Sequence, residues 1–219
     1  MMLVINTAFM TANLALQTAD GKVVLRDIDA KSKHSENVLK TIDEMCQEAK
    51  VSVLDVDTVA VVVGPGSFTG LRIGTAIAKA LGCVNKNLKF VALSSLEAMA
   101  YIHSKQRGDK NDFVCAINAL SNLFFVGTYD CHGHKLEEEK MIDKAQFEEI
   151  SLEKVALVGD LSEKVDTEIE LNGTDLLEFA LLKAKKGEFV TQEELLPKYL
   201  RLSQAEDNLN KLKKLNKNS

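Results

Sequence analysis

The spacing of apolar and polar positions in the first thirty residues predicts three β-strands. They cover residues 2–7, 13–18 and 22–28, and Asp20-Gly21 between the last two is a tight-turn signal. Short links between consecutive strands predict an antiparallel meander. The apolar spacing then changes to that of a helix that begins near Ser35, with one apolar face formed by Val38, Leu39, Ile42, Met45, Cys46 and Ala49.

Strands and helices alternate after this first helix, and their order then starts again. A strand is predicted over 58–63, a helix over 69–84, a strand over 90–93 and a helix over 95–103. Beyond a polar link the pattern predicts strands over 113–118, 123–130 and 135–140, a helix over 144–150, a strand over 155–159 and a helix over 174–185. The doubled order predicts two α/β lobes, each with a mixed sheet flanked by helices. We place them at 1–104 and, for a smaller lobe, 112–203, and expect 204–219 to be a basic, disordered tail.

Composition narrows the class of protein. The chain has 219 residues and a formal net charge of −5, which argues against a free-standing nucleic-acid binder. It contains no stretch of about 20 apolar residues that would span a membrane, and its first residues lack the features of a signal peptide. The four cysteines form no CxxC pair, so we expect buried, reduced thiols. These features predict a cytoplasmic protein.

The segment GPGSFTG, residues 64–70, follows a predicted strand and precedes a predicted helix. A phosphate-binding P-loop would need a lysine after its last glycine, and the nearest basic residue here is Arg72 inside the helix. A nucleophile elbow reads GxSxG, whereas Ser67 directly follows Gly66. We therefore predict that Gly64, Pro65 and Gly66 form a turn and that Ser67 or Thr69 caps the helix.

Two histidines, His132 and His134, flank Gly133 in a predicted turn. They are candidates for metal ligands, but turns are rich in polar residues for conformational reasons alone. No third ligand is apparent in the sequence, so we predict no metal site.

The helix after the loop has two apolar sides on a helical wheel. Ile73, Ala76, Ile77, Ala80 and Val84 form a bulky side, while Gly74, Ala78 and Gly82 recur every four residues on the other side, with Gly70 one turn earlier. Small residues at this spacing allow close approach of another helix. On the sequence alone, that helix can belong to this chain or to a partner.

Four segments resemble the bacterial TsaB family, also called YeaZ: INTA at 5–8, SKHSENVL at 32–39, GPGSFTGLRIG at 64–74 and PKYLR at 197–201. The resemblance implies a duplicated actin-like, Hsp70-like ATPase fold, which agrees with the doubled order of elements. It also implies that the protein acts together with TsaD and TsaE to form threonylcarbamoyladenosine on tRNAs that read codons beginning with A. In that system TsaD is the transferase, and TsaB is its non-catalytic dimerisation partner.

The resemblance also implies a degenerate nucleotide site. Catalytic members of the superfold carry an Asp on the first strand of a lobe to position a hydrated metal, and Asn6, followed by Thr7, stands at that place here. Asn118 is the matching position in the second lobe. An amide offers a hard cation no negative charge, so we predict that this chain alone binds no cofactor and that ATP and magnesium are used by the complex. At both places the asparagine can instead hydrogen-bond the neighbouring turn.

Finally, the resemblance implies pairing through first-lobe helices, with TsaD in the complex and with a second copy when the chain is isolated. We therefore predict an interface that contains Gly70, Leu71, Gly74, Ala78, Leu81, Gly82 and His34. Transfer RNA would be contacted only through the complex. Two enzymatic alternatives stay open: an actin-like-fold kinase or ATPase, and a serine peptidase that uses Ser67.

Overall fold

A computed structural model describes residues 1–29, 35–107, 110–119, 121–150, 155–158 and 167–200. The strands are β1 Met2–Asn6, β2 Ala12–Gln17, β3 Val23–Ile28, β4 Thr58–Gly64, β5 Lys89–Ser94, β6 Phe113–Asn118, β7 Leu123–Tyr129, β8 Lys140–Asp143, β9 Val155–Val158 and β10 Thr167–Glu168. The helices are α1 Ser35–Ala49, α2 Phe68–Val84, α3 Ser95–Arg107, α4 Lys144–Glu148 and α5 Gly173–Lys185. A short 3-10 helix, Val53–Asp55, precedes β4.

The first sheet has the order β3-β2-β1-β4-β5. Its first three strands form the predicted antiparallel meander, and β4 and β5 join parallel to β1. Gly21, at φ +88°, occupies the tight turn between β2 and β3, a conformation that glycine adopts without strain. Every residue of β1 and β4 is buried, which is expected for strands covered by helices on both faces.

The second sheet repeats that order, as β8-β7-β6-β9-β10, with β6 in the place of β1. Its first three strands are antiparallel to one another, and β9 runs parallel to β6. The duplicated α/β architecture predicted from the sequence is therefore confirmed. The two-residue strand β10 was not predicted, because so short a segment carries no periodic signal.

The third strand of the second sheet was predicted at the wrong residues. It lies at Lys140–Asp143, whereas residues 135–140 contribute only an isolated bridge between Lys135 and Tyr129. The reason is physical: residues 137–139 are three consecutive glutamates, and Ile142 is the buried apolar residue that anchors the strand. A hydrophobic side chain on the core face sets strand register.

Two helices cover the first sheet on the face turned toward the second. Helix α3 contacts β4 and β5 as well as β6 and β7, and α5 contacts β1, β2, β3 and β5. A single hydrophobic cluster includes buried residues of both sheets and of these helices. The predicted break at 104–112 overlaps the last turn of α3 and ends just before β6, and α5, from the second half of the chain, packs on the first sheet.

Helices α1 and α2 cover the opposite face of the first sheet. A second cluster joins Val38, Ile42 and Met45 of α1 to Ile77 and Ala78 of α2 and to the strands below. Two cysteines, Cys46 and Cys115, are buried as expected, but Cys83 on α2 is exposed and Cys131 is half-buried, so burial of all four was a wrong prediction.

Within the described ranges, no helix is both long and apolar enough to cross a bilayer.

Candidate functional site

Asn6 ends β1 with its side chain fully buried. Its Nδ2 donates to Oδ1 of Asn13 at 2.8 Å, and its Oδ1 accepts from the backbone N–H of Ala8 at 3.0 Å. Asn13 in turn donates from Nδ2 to Oδ1 of Asp27 at 2.8 Å. The side chain at position 6 thus uses a donor and an acceptor at once, which an amide supplies and a carboxylate does not.

The turn that contains Gly66 and the first turn of α2, which contains Gly70, pack directly on the loop of the β1–β2 hairpin. The backbone N–H of Ser67 donates to the carbonyl oxygen of Ala8 at 2.8 Å, and Oγ1 of Thr7 donates to the carbonyl oxygen of Gly70 at 2.6 Å. A Cβ at Gly66 would lie 2.8 Å from the oxygen of Ala8. The glycines therefore serve close packing between the two loops.

Ser67 is the N-cap of α2, and its Oγ accepts from the N–H of Gly70 at 3.3 Å. Thr69 lies inside the first turn of the helix and is exposed. The N–H of Leu71 donates to the carbonyl oxygen of Ser67, so amides of this helix start already have partners within the chain. In the described part of the structure no hydrogen bond joins Ser67 to a histidine, as a nucleophile–base pair would require.

The turn before α2 is held by the chain that follows α5. Gly64 has φ +122°, and a Cβ there would lie 2.8 Å from the carbonyl oxygen of Lys198. The peptide bond between Gly64 and Pro65 is cis. Glycine is thus required at position 64 by both its backbone conformation and the approach of another segment.

Asn118 ends β6, so it occupies in the second sheet the place that Asn6 has in the first.

A cavity of about 360 Å³ opens beside the β1–β2 hairpin and is lined by Met10, Thr11, Asp27 and Asp29.

Apart from Ile77, which is buried with the bulky side as predicted, the two sides of α2 are oriented in the reverse of the predicted way. Gly70, Leu71, Gly74, Ala78 and Gly82 are all buried, and Leu81 is half-buried. A Cβ at Gly74 would lie 2.8 Å from Oγ1 of Thr7, and one at Gly82 would lie 2.6 Å from the ring of Phe90. The small residues let α2 approach its own sheet, so the prediction that they face a partner is wrong; His34 lies outside the described residues.

The opposite side of α2 faces outward. Ala76, Ala80 and Cys83 are exposed, Ile73 is half-buried, and Val84 is 68% exposed. We call these five residues the outer face of α2. An apolar strip with this helical spacing on an exposed helix is typical of a surface that another protein covers.

An aromatic and cationic cluster lies at the first turn of α2. The rings of Phe68 and Tyr199 stack with centroids 4.3 Å apart, and the guanidinium of Arg72 lies 4.1 Å from the centre of the Phe68 ring. Arg72 also donates from Nε to Oη of Tyr199 at 2.9 Å. Tyr199 was not predicted as a site residue, although it lies in the PKYLR segment, 197–201, that resembles the TsaB family.

The histidines at 132 and 134 belong to the turn that follows β7. Burial opposes ionisation of Asp130, but hydrogen bonds from the backbone N–H groups of His134 and His132, and the nearby His134 ring, hold the pKa of Asp130 below its usual range. The rings of His132 and His134 are 6.1 Å apart between centroids. This arrangement stabilises a turn.

The repeated sheet order, with helices on both faces of the first sheet, defines the class of protein as a duplicated α/β fold. Residues 25–192 match the family model described as TsaD, tRNA N6-adenosine threonylcarbamoyltransferase. The chain belongs to this family and, within it, to the TsaB/YeaZ group.

Two relatives illustrate the sequence likeness. A tRNA threonylcarbamoyladenosine biosynthesis protein TsaB from Buchnera aphidicola subsp. Acyrthosiphon pisum is 26% identical over 172 residues, which are 71% of this chain and 77% of the relative. The TsaB protein of Haemophilus influenzae is 31% identical over 121 residues, or 55% of this chain and 50% of the relative. The second match therefore spans only half of that protein.

Two solved structures from Pseudomonas aeruginosa share the fold. One is titled as an uncharacterized protein with similarity to peptidase YEAZ, with a TM-score of 0.75, 23% identity, and coverage of 91% of this chain and 99% of that chain. The other, titled YeaZ, has a TM-score of 0.72, 22% identity, and coverage of 90% and 99%. At these identities the likeness concerns the fold.

Proposed function

We propose that this chain is a non-catalytic partner subunit in the formation of N6-threonylcarbamoyladenosine in tRNAs that read codons beginning with A. It dimerises with TsaD, the transferase, and activates it. The observation that carries this proposal is the end of β1, where the buried amide of Asn6 is bonded to Asn13 and Ala8. These bonds support a structural role for Asn6. In catalytic relatives, the same position holds a carboxylate that binds a metal.

The outer face of α2 is the surface we assign to TsaD. Its apolar residues are exposed in the isolated chain, and the buried side of the same helix is already occupied by the first sheet. Covering the outer face with a partner removes apolar surface from water, which favours association. The same face serves a homodimer when the chain is isolated.

The remaining features of the proposal concern the assembly. TsaE joins the complex, ATP and magnesium are used there, and tRNA is contacted through the complex rather than by this chain alone. The formal charge of −5 supports the last point, because binding of nucleic acid requires a concentrated positive surface. The proposed place of action is the cytoplasm.

Reconstitution of tRNA modification tests the function directly. TsaD, TsaE and the enzyme that supplies threonylcarbamoyl-adenylate are combined with tRNA, with and without this chain, and modified adenosine is quantified. We expect modification only when this chain is present. Full modification without it would overturn the proposal.

A matched pair of variants tests the surface. Ala76→Glu places a charge in the outer face of α2, whereas Ala145→Glu places the same charge on an exposed position of α4. We expect the first variant to lose TsaD in a pull-down and the second to retain it, with both proteins as stable as the unmodified chain. Retention of TsaD by Ala76→Glu would assign the partner to another surface.

Calorimetry separates this function from an ATPase or kinase. We expect no micromolar binding when ATP and magnesium are titrated into the purified chain. Binding together with turnover would favour the enzyme. Loss of a peptidase activity in Ser67→Ala, with TsaD binding intact, would favour the peptidase.

A further inference from the structure

The side chain of Glu139 is fully buried and is bonded to three donors. The Oγ of Ser94 and the Oη of Tyr129 both donate to Oε1, the latter at 3.1 Å, and the Nζ of Lys198 donates to Oε2 at 2.7 Å. A buried carboxylate is unfavourable unless it is paired and hydrogen-bonded. We call these four residues the Glu139 clamp.

The donors of the Glu139 clamp come from separate parts of the fold. Ser94 is the last residue of β5 in the first sheet, and Tyr129 is the last residue of β7 in the second. Lys198 belongs to the segment after α5, residues 187–200, which we call the strap. The clamp therefore joins the two sheets and the strap at one buried charge.

The strap lies along the first sheet and α2. Val190 pairs with Phe90 of β5 by an antiparallel bridge, and Gln192 donates from Nε2 to the carbonyl oxygen of Lys79 at 3.2 Å. Leu195 is fully buried in the cluster beneath α1 and α2. These contacts bring Lys198 to the turn that precedes α2.

Lys198 connects the clamp to that turn through its own backbone. Its N–H donates to the carbonyl oxygen of Val63 at 2.7 Å, and its carbonyl oxygen lies against Gly64. The next residue, Tyr199, stacks on Phe68 and accepts from Arg72 in the first turn of α2. One short segment thus contacts the buried carboxylate and the start of the helix at the same time.

We propose that Lys198 is a positioning residue. Its bond to Glu139 holds the first turn of α2 in place and so fixes the orientation of the outer face of α2 for its partner. The identity of that partner rests on the proposed function. The ammonium group anchors the strap, and the anchored strap holds the Phe68–Tyr199–Arg72 cluster in place. Without the ion pair, the strap keeps Leu195 in the core but loses its anchor at Glu139, and the start of α2 becomes more mobile.

Hydrogen exchange on the isolated chain is the first test. In Lys198→Met, which keeps the apolar stem, we expect faster exchange of amides in residues 68–75 than in the unmodified chain, with β6 unchanged. Lys140→Met is the control, because Lys140 is an exposed lysine 3.5 Å from Glu137. Equal exchange of residues 68–75 in all three proteins would overturn the proposal.

Affinity for TsaD is the second test. Coupling between separate sites in proteins typically changes affinity by between about 5-fold and 150-fold, and we expect a loss of about tenfold in Lys198→Met. Lys198→Arg, which retains the cation, should recover most of the affinity. Unchanged affinity in Lys198→Met, or no recovery in Lys198→Arg, would contradict the positioning role.

A double variant separates positioning from a simple loss of stability. Lys198→Met with Glu139→Gln leaves no unpaired buried charge and is the substitute if the single variant fails to fold. We expect it to fold and still to exchange faster at residues 68–75. If the double variant exchanges like the unmodified chain, the clamp acts only on stability. Failure of the unmodified chain to bind TsaD would contradict the proposed function, whereas the exchange result would still test the clamp.

Discussion

Gly70 faces the carbonyl oxygen of Thr7 so closely that a Cβ at position 70 would lie 1.9 Å from that oxygen. The Oγ1 of the same threonine donates to the carbonyl oxygen of Gly70 at 2.6 Å. The end of β1 and the start of α2 therefore fit together only with glycine at position 70. The contact links the residues that follow β1 to the helix that we assign to the partner.

Gly70→Ala should be strongly destabilising, because the added methyl group meets backbone that cannot move aside. Overpacking of a buried site costs typically 1–3 kcal/mol, and we expect a loss in the free energy of unfolding of about 3 kcal/mol here. Urea denaturation measures it. Ala76→Ser on the exposed side of the same helix is the control and should change stability by less than about 1 kcal/mol. A fully stable Gly70→Ala would show that the loop can shift.

The meander of β1 to β3 and the doubled order of elements were predictable because they depend on local periodicity. Alternating apolar residues and the Asp20-Gly21 turn specify the β2–β3 hairpin without reference to the rest of the chain. The third strand of the second sheet was misplaced because pairing with β7, which places Ile142 on the core face, selects Lys140–Asp143. Cross-strand pairing of this kind is a tertiary effect.

The orientation of α2 could not be predicted from its sequence, since both of its sides are apolar. The choice is made by Thr7, which lies far from α2 in sequence, and by Phe90 on the next strand, β5; both lie too close to α2 for a side chain at the glycines they face. Glu139 was missed for a related reason. It follows Glu137 and Glu138 in a run that is typical of a solvated surface, and only the fold brings Ser94 and Lys198 to it.

The same substitution should destabilise the chain on the buried side of α2 and have almost no effect on stability on the exposed side. Ala78 is fully buried, so Ala78→Leu overpacks the contact with the sheet and should lower the free energy of unfolding by about 1–3 kcal/mol. Ala80 is exposed, so Ala80→Leu should leave stability within about 0.5 kcal/mol of the unmodified chain. Thermal or urea unfolding distinguishes them. Equal stability of the two variants would reject the observed orientation.

Thiol labelling should distinguish the two buried cysteines from the exposed one. Burial raises the pKa of Cys46 and raises that of Cys115 strongly, with Asp43 and Asp55 adding to the first effect and Glu139 to the second. Since the thiolate is the reactive form, both should resist a maleimide at pH 7.5 in the folded protein. Cys83 is exposed and should react rapidly.

Mass spectrometry of the labelled peptides gives the order of reaction, and labelling in concentrated urea is the control, in which all four cysteines should react. Because Cys83 lies on the outer face of α2, its labelling should also slow when TsaD is bound. Rapid labelling of Cys115 in the folded chain would contradict the packing between the two sheets.

Asn6→Asp introduces a carboxylate at the end of β1, yet it should destabilise this chain. The variant loses the donor to Asn13 and places a negative charge at a fully buried position. A buried polar group without its partner costs about 1–3 kcal/mol, and we expect a loss of that size at pH 7 in urea unfolding. Asn87→Asp, at an exposed asparagine, is the control and should be neutral.

The loss of stability in the Asn6→Asp variant should depend on pH, because it arises from the ionised carboxylate. Burial raises the pKa of an aspartate in the folded state above its unfolded value of about 3.9. The destabilisation is therefore full above the folded pKa and disappears as the pH falls below about 3.9, where both states are protonated. The difference in stability between the variant and the unmodified chain should accordingly shrink from pH 7 to pH 4. A difference that stays constant over this range would show that the carboxylate at position 6 has a normal pKa and has found a new donor.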